Sequence, residues 1–319
     1  MRKPYAIGID VGGTKIAAGL VDRNGQVLHR FSTRAHAEQL PEFVIATIEQ
    51  AYRAVVQASG VDPTQLEAVG LGFPGNTNSK TGMVLFSSNL PEWDHFPLRD
   101  TVAKRIGVPV VLENDANLAA LGEHRFGVGR GTQNMCYVTF STGYGIGIMI
   151  NGEIYAGHIG SAGELGHVVI NINGPLCTCG KHGCIMAYAS GIGISRMVYE
   201  KIATGVPTML LDRLPSDGQR VNAEIVAAAA NQGDAVAQEI LKTAGYYAGV
   251  GLSMIIQILN PELIVVGGGL VRIGSLVWEP ALAAMHEHTQ PELWDSVRIV
   301  PWTLGDDLGV LGAAAKALA

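Results

Sequence analysis

A chain of 319 residues, 48% hydrophobic and 16% charged, is long enough for two domains and apolar enough to bury a large core, which excludes global disorder. Its 41 glycines follow no three-residue period, so they mark glycine-rich loops and exclude a collagen-like fibre. With 22 basic and 28 acidic side chains the formal charge is −6 and no basic run occurs, so no nucleic-acid partner is expected.

The N-terminal residues lack the long apolar segment of an export signal. Three short strands joined by tight turns open the chain: Tyr5–Asp10, Lys15–Asp22 and, after Asn24-Gly25, Gln26–Thr33. Pro41 starts a helix whose apolar side is expected to hold Phe43, Val44, Ala46, Ile48 and Ala51. Leu66–Phe73 reads as a buried strand, Val102–Ile106 as the end of a helix, Val108–Leu112 as a strand and Leu118–Phe126 as a helix. A second series begins with the strand Met135–Phe140, a turn over Ser141–Gly147, the strand Ile148–Ile150 and, past Asn151-Gly152, Glu153–Ala156. This echo of the first series implies a duplicated plan. Helices follow at Ile192–Ala203, Asn222–Gln232 and Ala235–Leu259. The stretch Ala248–Leu259, interrupted by Ser253 and Gln257, is too short to span a bilayer, so no membrane partner is expected and the default compartment is cytoplasmic. Strands at Leu263–Val266 and Val297–Val300 and a last helix, Leu308–Leu318, close the chain.

Three groups of residues carry chemistry. In Asp10-Val11-Gly12-Gly13-Thr14-Lys15 the two glycines let consecutive N–H groups approach an anion, Thr14 adds a hydroxyl, Lys15 a charge, and Asp10 an oxygen ligand for hydrated Mg²⁺. Such a turn also serves as a plain hairpin; a second at Ser141-Thr142-Gly143 and a third at Gly267-Gly268-Gly269 favour a nucleotide cleft. In Glu113-Asn114-Asp115-Ala116-Asn117, Asp115 at a strand end is placed to accept the proton of an attacking hydroxyl and Asn114 to orient that substrate; equally, either residue caps the next helix. Finally, His167 in Gly163-Glu164-Leu165-Gly166-His167, with Cys177, Cys179 and Cys184, makes a closed imidazole and three-thiolate set for structural Zn²⁺, with His182 competing for the imidazole position. Without an export signal, metal takes precedence over disulfides, and a closed set gives zinc a structural use: holding the Glu164–His167 loop.

In this order, from Ile7 to Gly312-Ala313-Ala314, these segments resemble the ROK family of repressors, open-reading-frame proteins and sugar kinases. The resemblance implies an α/β, actin-like ATPase (ribonuclease H-like) fold with two domains closing on a cleft. One is expected over 1–117, joined by the C-terminal helix 306–319, and a larger one over 118–305 carries the zinc segment. It implies phosphoryl transfer from MgATP to a hexose hydroxyl, on C6 with glucose as default substrate, and a homodimer. By position, Asp115 matches the catalytic base, and Gly75, Asn89, Asn114, Glu164 and His167 match sugar-binding residues, His167 being a zinc ligand as well. Gly12, Thr14, Lys15, Thr142, Gly143, Gly268 and Gly269 match nucleotide contacts.

Two departures stand out. Met186 occupies the position where family kinases usually carry an acidic sugar ligand, and a thioether cannot replace a carboxylate's charged hydrogen bonds. Ser141, Ile146 and Ile148 stand where glycine is frequent, so crowding of the second phosphate turn is expected. An active hexose kinase is the leading expectation. The alternatives are a kinase for mannose, fructose, an N-acetylhexosamine or a cyclitol, and a non-catalytic sugar-binding sensor. A DNA-binding regulator is disfavoured because only nine residues precede Asp10, too few for a helix-turn-helix domain.

Overall fold

The structure, a computed structural model, describes residues 2–13, 15–35, 40–86, 91–216 and 220–319. Thr14 and Asn89, two of the residues expected in binding, lie outside the described residues. The elements begin with β1 (Tyr5–Val11), β2 (Lys15–Asp22), β3 (Val27–Arg34), α1 (Pro41–Ser59), β4 (Leu66–Phe73), β5 (Asn76–Asn78) and β6 (Met83–Phe86). Then come α2 (Leu98–Ile106), β7 (Val110–Asn114), α3 (Asp115–Phe126), β8 (Met135–Phe140), β9 (Tyr144–Ile150) and β10 (Glu153–Ile154). The remainder comprises α4 (Gly191–Ala203), α5 (Ala223–Asn231), α6 (Ala235–Leu259), β11 (Leu263–Gly267), α7 (Ser275–Glu287), α8 (Pro291–Trp294), β12 (Arg298–Pro301) and α9 (Leu308–Ala317).

Among the described residues, one five-stranded sheet has the order β3-β2-β1-β4-β7 and another the order β10-β9-β8-β11-β12. The two orders are equivalent strand for strand, which is the duplicated plan that the paired turn motifs imply. The chain divides into two compact units. The first comprises Met1–Tyr137, Gly147–Gly163 and Trp302–Ala319; the second comprises Val138–Ile146 and Glu164–Pro301.

In the first unit, β1, β2 and β3 form an antiparallel meander, and β4 and β7 join in parallel beside β1. Side chains alternate across β1. Ile7, Ile9 and Val11 enter a core with Val44, Ile48 and Val55 of α1, while Ala6 packs with Val310, Leu311 and Ala314 of α9. Each fully buried isoleucine contributes roughly 1.5–3 kcal/mol. α9 lies so close to the sheet that a Cβ added at Gly8 or Gly70 would overlap the carbonyls of Val310 or Ala313. On α1 the buried stripe is Val44, Ile45, Ile48, Ala51, Tyr52 and Val55. Phe43 and Ala46, expected on that side, are exposed because the 3.6-residue repeat through Val44 and Ile48 turns both away.

In the second unit α6 packs along α7, with Gly249 admitting the Ala281 carbonyl. α7 contains Pro280, which breaks the apolar spacing and hides this helix from sequence reading. The strand expected at Ile148 begins at Tyr144. Ile146 and Ile148 are therefore buried strand side chains, and the added bulk at the turn itself is Ser141 alone. Among the described residues no helix is long and apolar enough to cross a membrane.

Candidate active site and metal cluster

The parallel register of the first unit sets Asp10, Gly72 and Glu113 in one row across β1, β4 and β7, with Phe73 beside Asn114 one step on. Ligand chemistry in α/β proteins gathers beyond such strand ends. Gly72 has no side chain, and a Cβ there would lie 3.5 Å from Asp10 Oδ1, so the glycine keeps the space beside that carboxyl open. A Cβ at Gly309, in the first turn of α9, would overlap the Asp10 carboxyl. At Gly309 the helix thus leaves Asp10 a place that only a glycine permits.

β7 runs directly into α3, whose first residue is Asp115, as the capping reading of Asn114 implies and ahead of the apolar helical spacing that starts at Leu118. Asn114 caps α3: its Oδ1 accepts from the N–H groups of Ala116 at 2.9 Å and Asn117 at 3.1 Å, and its Nδ2 donates to the Gly75 carbonyl at 3.0 Å. Both readings of this residue therefore meet in one side chain. With its oxygen doubly occupied, Asn114 retains one amide hydrogen with which to donate to a bound hydroxyl. Gly75, held at φ 106, supplies the carbonyl that fixes the amide's orientation.

Asp115 Oδ1 accepts from the Ala116 N–H at 2.9 Å, which leaves acceptor sites on the carboxylate for a hydroxyl proton. Desolvation raises Asp115 above the usual carboxylate range, opposed by hydrogen bonds from backbone N–H groups and Asn114. The residue keeps a solvent-exposed surface while its carboxyl is surrounded by enough protein to lose hydration. Asp10 is pushed up to about 7, first by burial and then by the charge of Asp115, with Lys15 opposing. A proton-hungry carboxylate beside a second one fits a hard divalent cation, which relieves the repulsion through an oxygen ligand.

The first glycine turn is narrower in donors than its sequence implies. The Gly12 N–H closes the turn onto the Lys15 carbonyl at 2.9 Å and is not available to an anion. Gly13 is exposed, with open space where a Cβ would sit. In the second unit the other two turns meet. Gly268, at φ 97, approaches the Phe140 carbonyl so closely that a Cβ would overlap it, setting Gly268 and Gly269 beside the start of Ser141-Thr142-Gly143. The Ser141 and Thr142 carbonyls accept from the first N–H groups of α4, Gly191 at 2.8 Å and Ile192 at 3.3 Å.

The cluster of His167, Cys177, Cys179 and Cys184 lies in the same unit, with one ligand atom from each within 4.8 Å of every other. Cys177 Sγ is 3.6 Å from His167 Nδ1, and Cys179 Sγ is 3.7 Å from Cys184 Sγ. Tetrahedral Zn²⁺ with ordinary bond lengths requires edges of about 3.6 Å for sulfur–nitrogen and about 3.8 Å for sulfur–sulfur. The Cys177–His167 and Cys179–Cys184 edges thus stand at zinc spacing. Burial, then the neighbouring thiols, push Cys184 up to about 12, so joint ionisation of the three sulfurs calls for a cation. His182 turns its Nδ1 to the Gly174 carbonyl at 3.0 Å, outside the set, which resolves the competition for the imidazole position.

His167 is held below the usual imidazole range by burial, and its Nε2 faces Glu164 Oε2 at 3.9 Å. Met186 packs with Cys177, Cys184 and Tyr188, and its Sδ lies 3.6 Å from where a Cβ on Gly143 would stand. It ties the Cys/His segment to the glycine turn. Two features had no local signal: Gly309 beneath Asp10, and an ion pair from Lys316 to the buried Glu113.

Comparison with known proteins places this geometry. Residues 6–319 match the family described as ROK family. A glucokinase from Thermotoga maritima is 36% identical over 314 residues, covering 98% of this chain and 97% of that protein. The crystal structure of a ROK family glucokinase from Streptomyces griseus in complex with glucose and AMPPNP superposes with a TM-score of 0.82 at 36% identity, covering 97% of this chain and 98% of that one. A xylose repressor from Bacillus spizizenii is 30% identical over 311 residues, covering 97% of this chain and 75% of that protein. The α/β architecture is the actin-like ATPase fold, and the chain belongs to the ROK family.

Proposed function

We propose that this protein is an ATP-dependent hexose kinase that transfers the γ-phosphoryl group of MgATP to glucose, at the C6 hydroxyl. The observation that carries the reading is Asp115: a carboxylate at a strand end, held by the Ala116 N–H beside the Asn114 amide that caps α3, with acceptor sites left for a hydroxyl proton. A general base works best with its proton affinity lifted toward the working pH, and desolvation of the Asp115 carboxyl acts in that direction. The likeness to curated glucokinases and to a glucose- and AMPPNP-bound structure supports the same reaction.

In phosphoryl transfer the protein's work is alignment and charge neutralisation. Asp115 accepts the proton of the hydroxyl as its oxygen meets the γ-phosphorus, and Asn114 donates its remaining amide hydrogen to the sugar. Gly75 acts through the carbonyl that orients Asn114. Asp10 would hold the Mg²⁺ that accompanies the triphosphate, and the cation would supply charge neutralisation there. Gly13 and Lys15 in the first unit, and Thr142, Gly143, Gly268 and Gly269 in the second, are assigned to nucleotide; Glu164 and His167 are assigned to sugar hydroxyls. With Nδ1 of His167 directed at the thiol set, Nε2 is the ring nitrogen left for a hydroxyl. The four-residue cluster takes structural Zn²⁺, and the resemblance extends to a cytoplasmic homodimer, which light scattering and cell fractionation check. The kinase test is ADP release with ATP and a panel of hexoses: glucose-stimulated release supports the reading, and sugar binding without turnover rejects it.

A second reading, a sugar-responsive regulator, draws on the 30% identity to a xylose repressor. Glucose binding that alters DNA affinity, with no ADP formed, is the outcome that favours it.

A further inference from the structure

Glu113 is 1% exposed, and its carboxylate receives three donors: Lys316 Nζ at 3.0 Å, Asn117 Nδ2 at 3.0 Å and the Asn114 N–H at 3.1 Å. Two of these belong to the turn that carries Asp115; the third arrives from α9, 203 residues away in sequence. At its other end α9 presents Gly309 to the Asp10 carboxyl. Seven residues of helix span roughly 10 Å, about two strand spacings. That is the distance across the row Asp10, Gly72, Glu113. α9 is thus a crossbar under both strand ends, seated on Asp10 through Gly309 and tied to the β7–α3 turn through Lys316.

The geometry points to Glu113 and Lys316 as a positioning pair that fixes the Asn114–Asp115 turn relative to Asp10. The inference rests on the kinase reading for its kinetic consequence, but the tether itself does not. Neither residue touches substrate. They act through Asn114 and Asn117, whose N–H groups and side chains set the first turn of α3 and hence the direction of the Asp115 carboxyl. A reacting group displaced by about 1 Å loses on the order of a hundredfold in rate. A loosened tether should therefore appear in kcat more than in substrate binding.

Glu113→Gln keeps an amide oxygen for Asn114 and Asn117 and presents an NH₂ to Lys316, so it cuts the tether while sparing the turn's own bonds. Glu113→Gln/Lys316→Gln restores a neutral amide-to-amide bond between helix and turn. The expected result for the single variant is a fall in glucose-phosphorylating kcat of about tenfold or more per folded molecule, with KM for MgATP within about threefold. Amide exchange at residues 114–118 should quicken, and the double variant should recover both kcat and protection. A single variant with unchanged kcat and unchanged exchange overturns the proposal, as does a folded double variant that recovers neither. Should the single variant not fold, a folded double variant with kcat near that of the parent supports the tether, and one with depressed kcat overturns it. If the parent protein makes no sugar phosphate, the kinase reading fails. The tether is then judged on exchange alone, quickened in the single and restored in the double variant.

Discussion

The carboxylates at the ends of β1 and β7 are held by the sheet, by the first turn of a helix and by a buried ion pair, whereas the ligand set around Cys177 is held by short turns and isolated bridges. Backbone register and caps fix the places of Asp10 and Asp115. The thiol and imidazole set brings four ligand atoms within 4.8 Å of one another and has few backbone ladders beneath it. On the kinase reading, the proton-accepting group is mounted on rigid elements, and the lobe with only a small core of its own is the one assigned to a metal. The proposed division between the two sites, chemistry at one and scaffold at the other, can be broken from either side.

The largest effect is expected at Asp115. Asp115→Asn keeps shape and the helix start but removes the base, so kcat should fall by about 10²–10⁴-fold, with zinc content by elemental analysis unchanged. Unchanged kcat would remove Asp115 from the role. Next, Cys184→Ser, or removal of metal by a strong chelator, should release the 167–188 lobe and lower thermal stability by several kcal/mol, measured by calorimetry together with metal content. The Asp10–Asp115 separation should change little, so a relative loss of glucose binding larger than that of the fold would show the lobe serving the sugar directly.

Within the first unit, Gly70→Ala forces a methyl into the Ala313 carbonyl, at a cost of about 1–3 kcal/mol read as a lowered Tm. Asp10→Asn tests the carboxylate pair by pH. The folded pKa of about 7 lies above the ordinary 3.8, so folding favours the protonated form. That stability is present in full below about pH 4 and is lost as pH rises through 7. The asparagine variant should therefore gain Tm over the parent progressively between those values, while its KM for MgATP rises. A gain that does not depend on pH contradicts the burial of Asp10. The smallest effect is one of ranking: Met186→Glu should shift kcat/KM among glucose, mannose and N-acetylhexosamines, and an unchanged order removes Met186 as a selectivity element.

Much of this was legible in local sequence. Strand ends followed by Gly-Gly, the Asn114-Asp115 step after a β-rich run, and three cysteines within eight positions each carry their chemistry in a short window. The duplicated order of the two sheets follows from repeated strand–turn–strand patterns. What escaped depends on distance or on a broken pattern. The Glu113–Lys316 pair joins residues 203 apart, and nothing near Lys316 marks it as the partner of a buried carboxylate. Gly309 looks like any helix glycine until Asp10 is seen against it. The β5–β6 hairpin is three and four residues long, too short for a period to show, and Pro280 disguises α7. The Gly-Gly pair implies that the Gly12 N–H faces an anion, but closure of the turn onto the Lys15 carbonyl occupies it, a bond that depends on the folded turn.

The most direct test of the kinase reading is the phosphorus NMR spectrum of the reaction of the protein with MgATP and glucose. It should show glucose 6-phosphate rising in step with ADP, and neither should form with Asp115→Asn. ADP without a sugar phosphate, or bound glucose with no turnover at all, contradicts it.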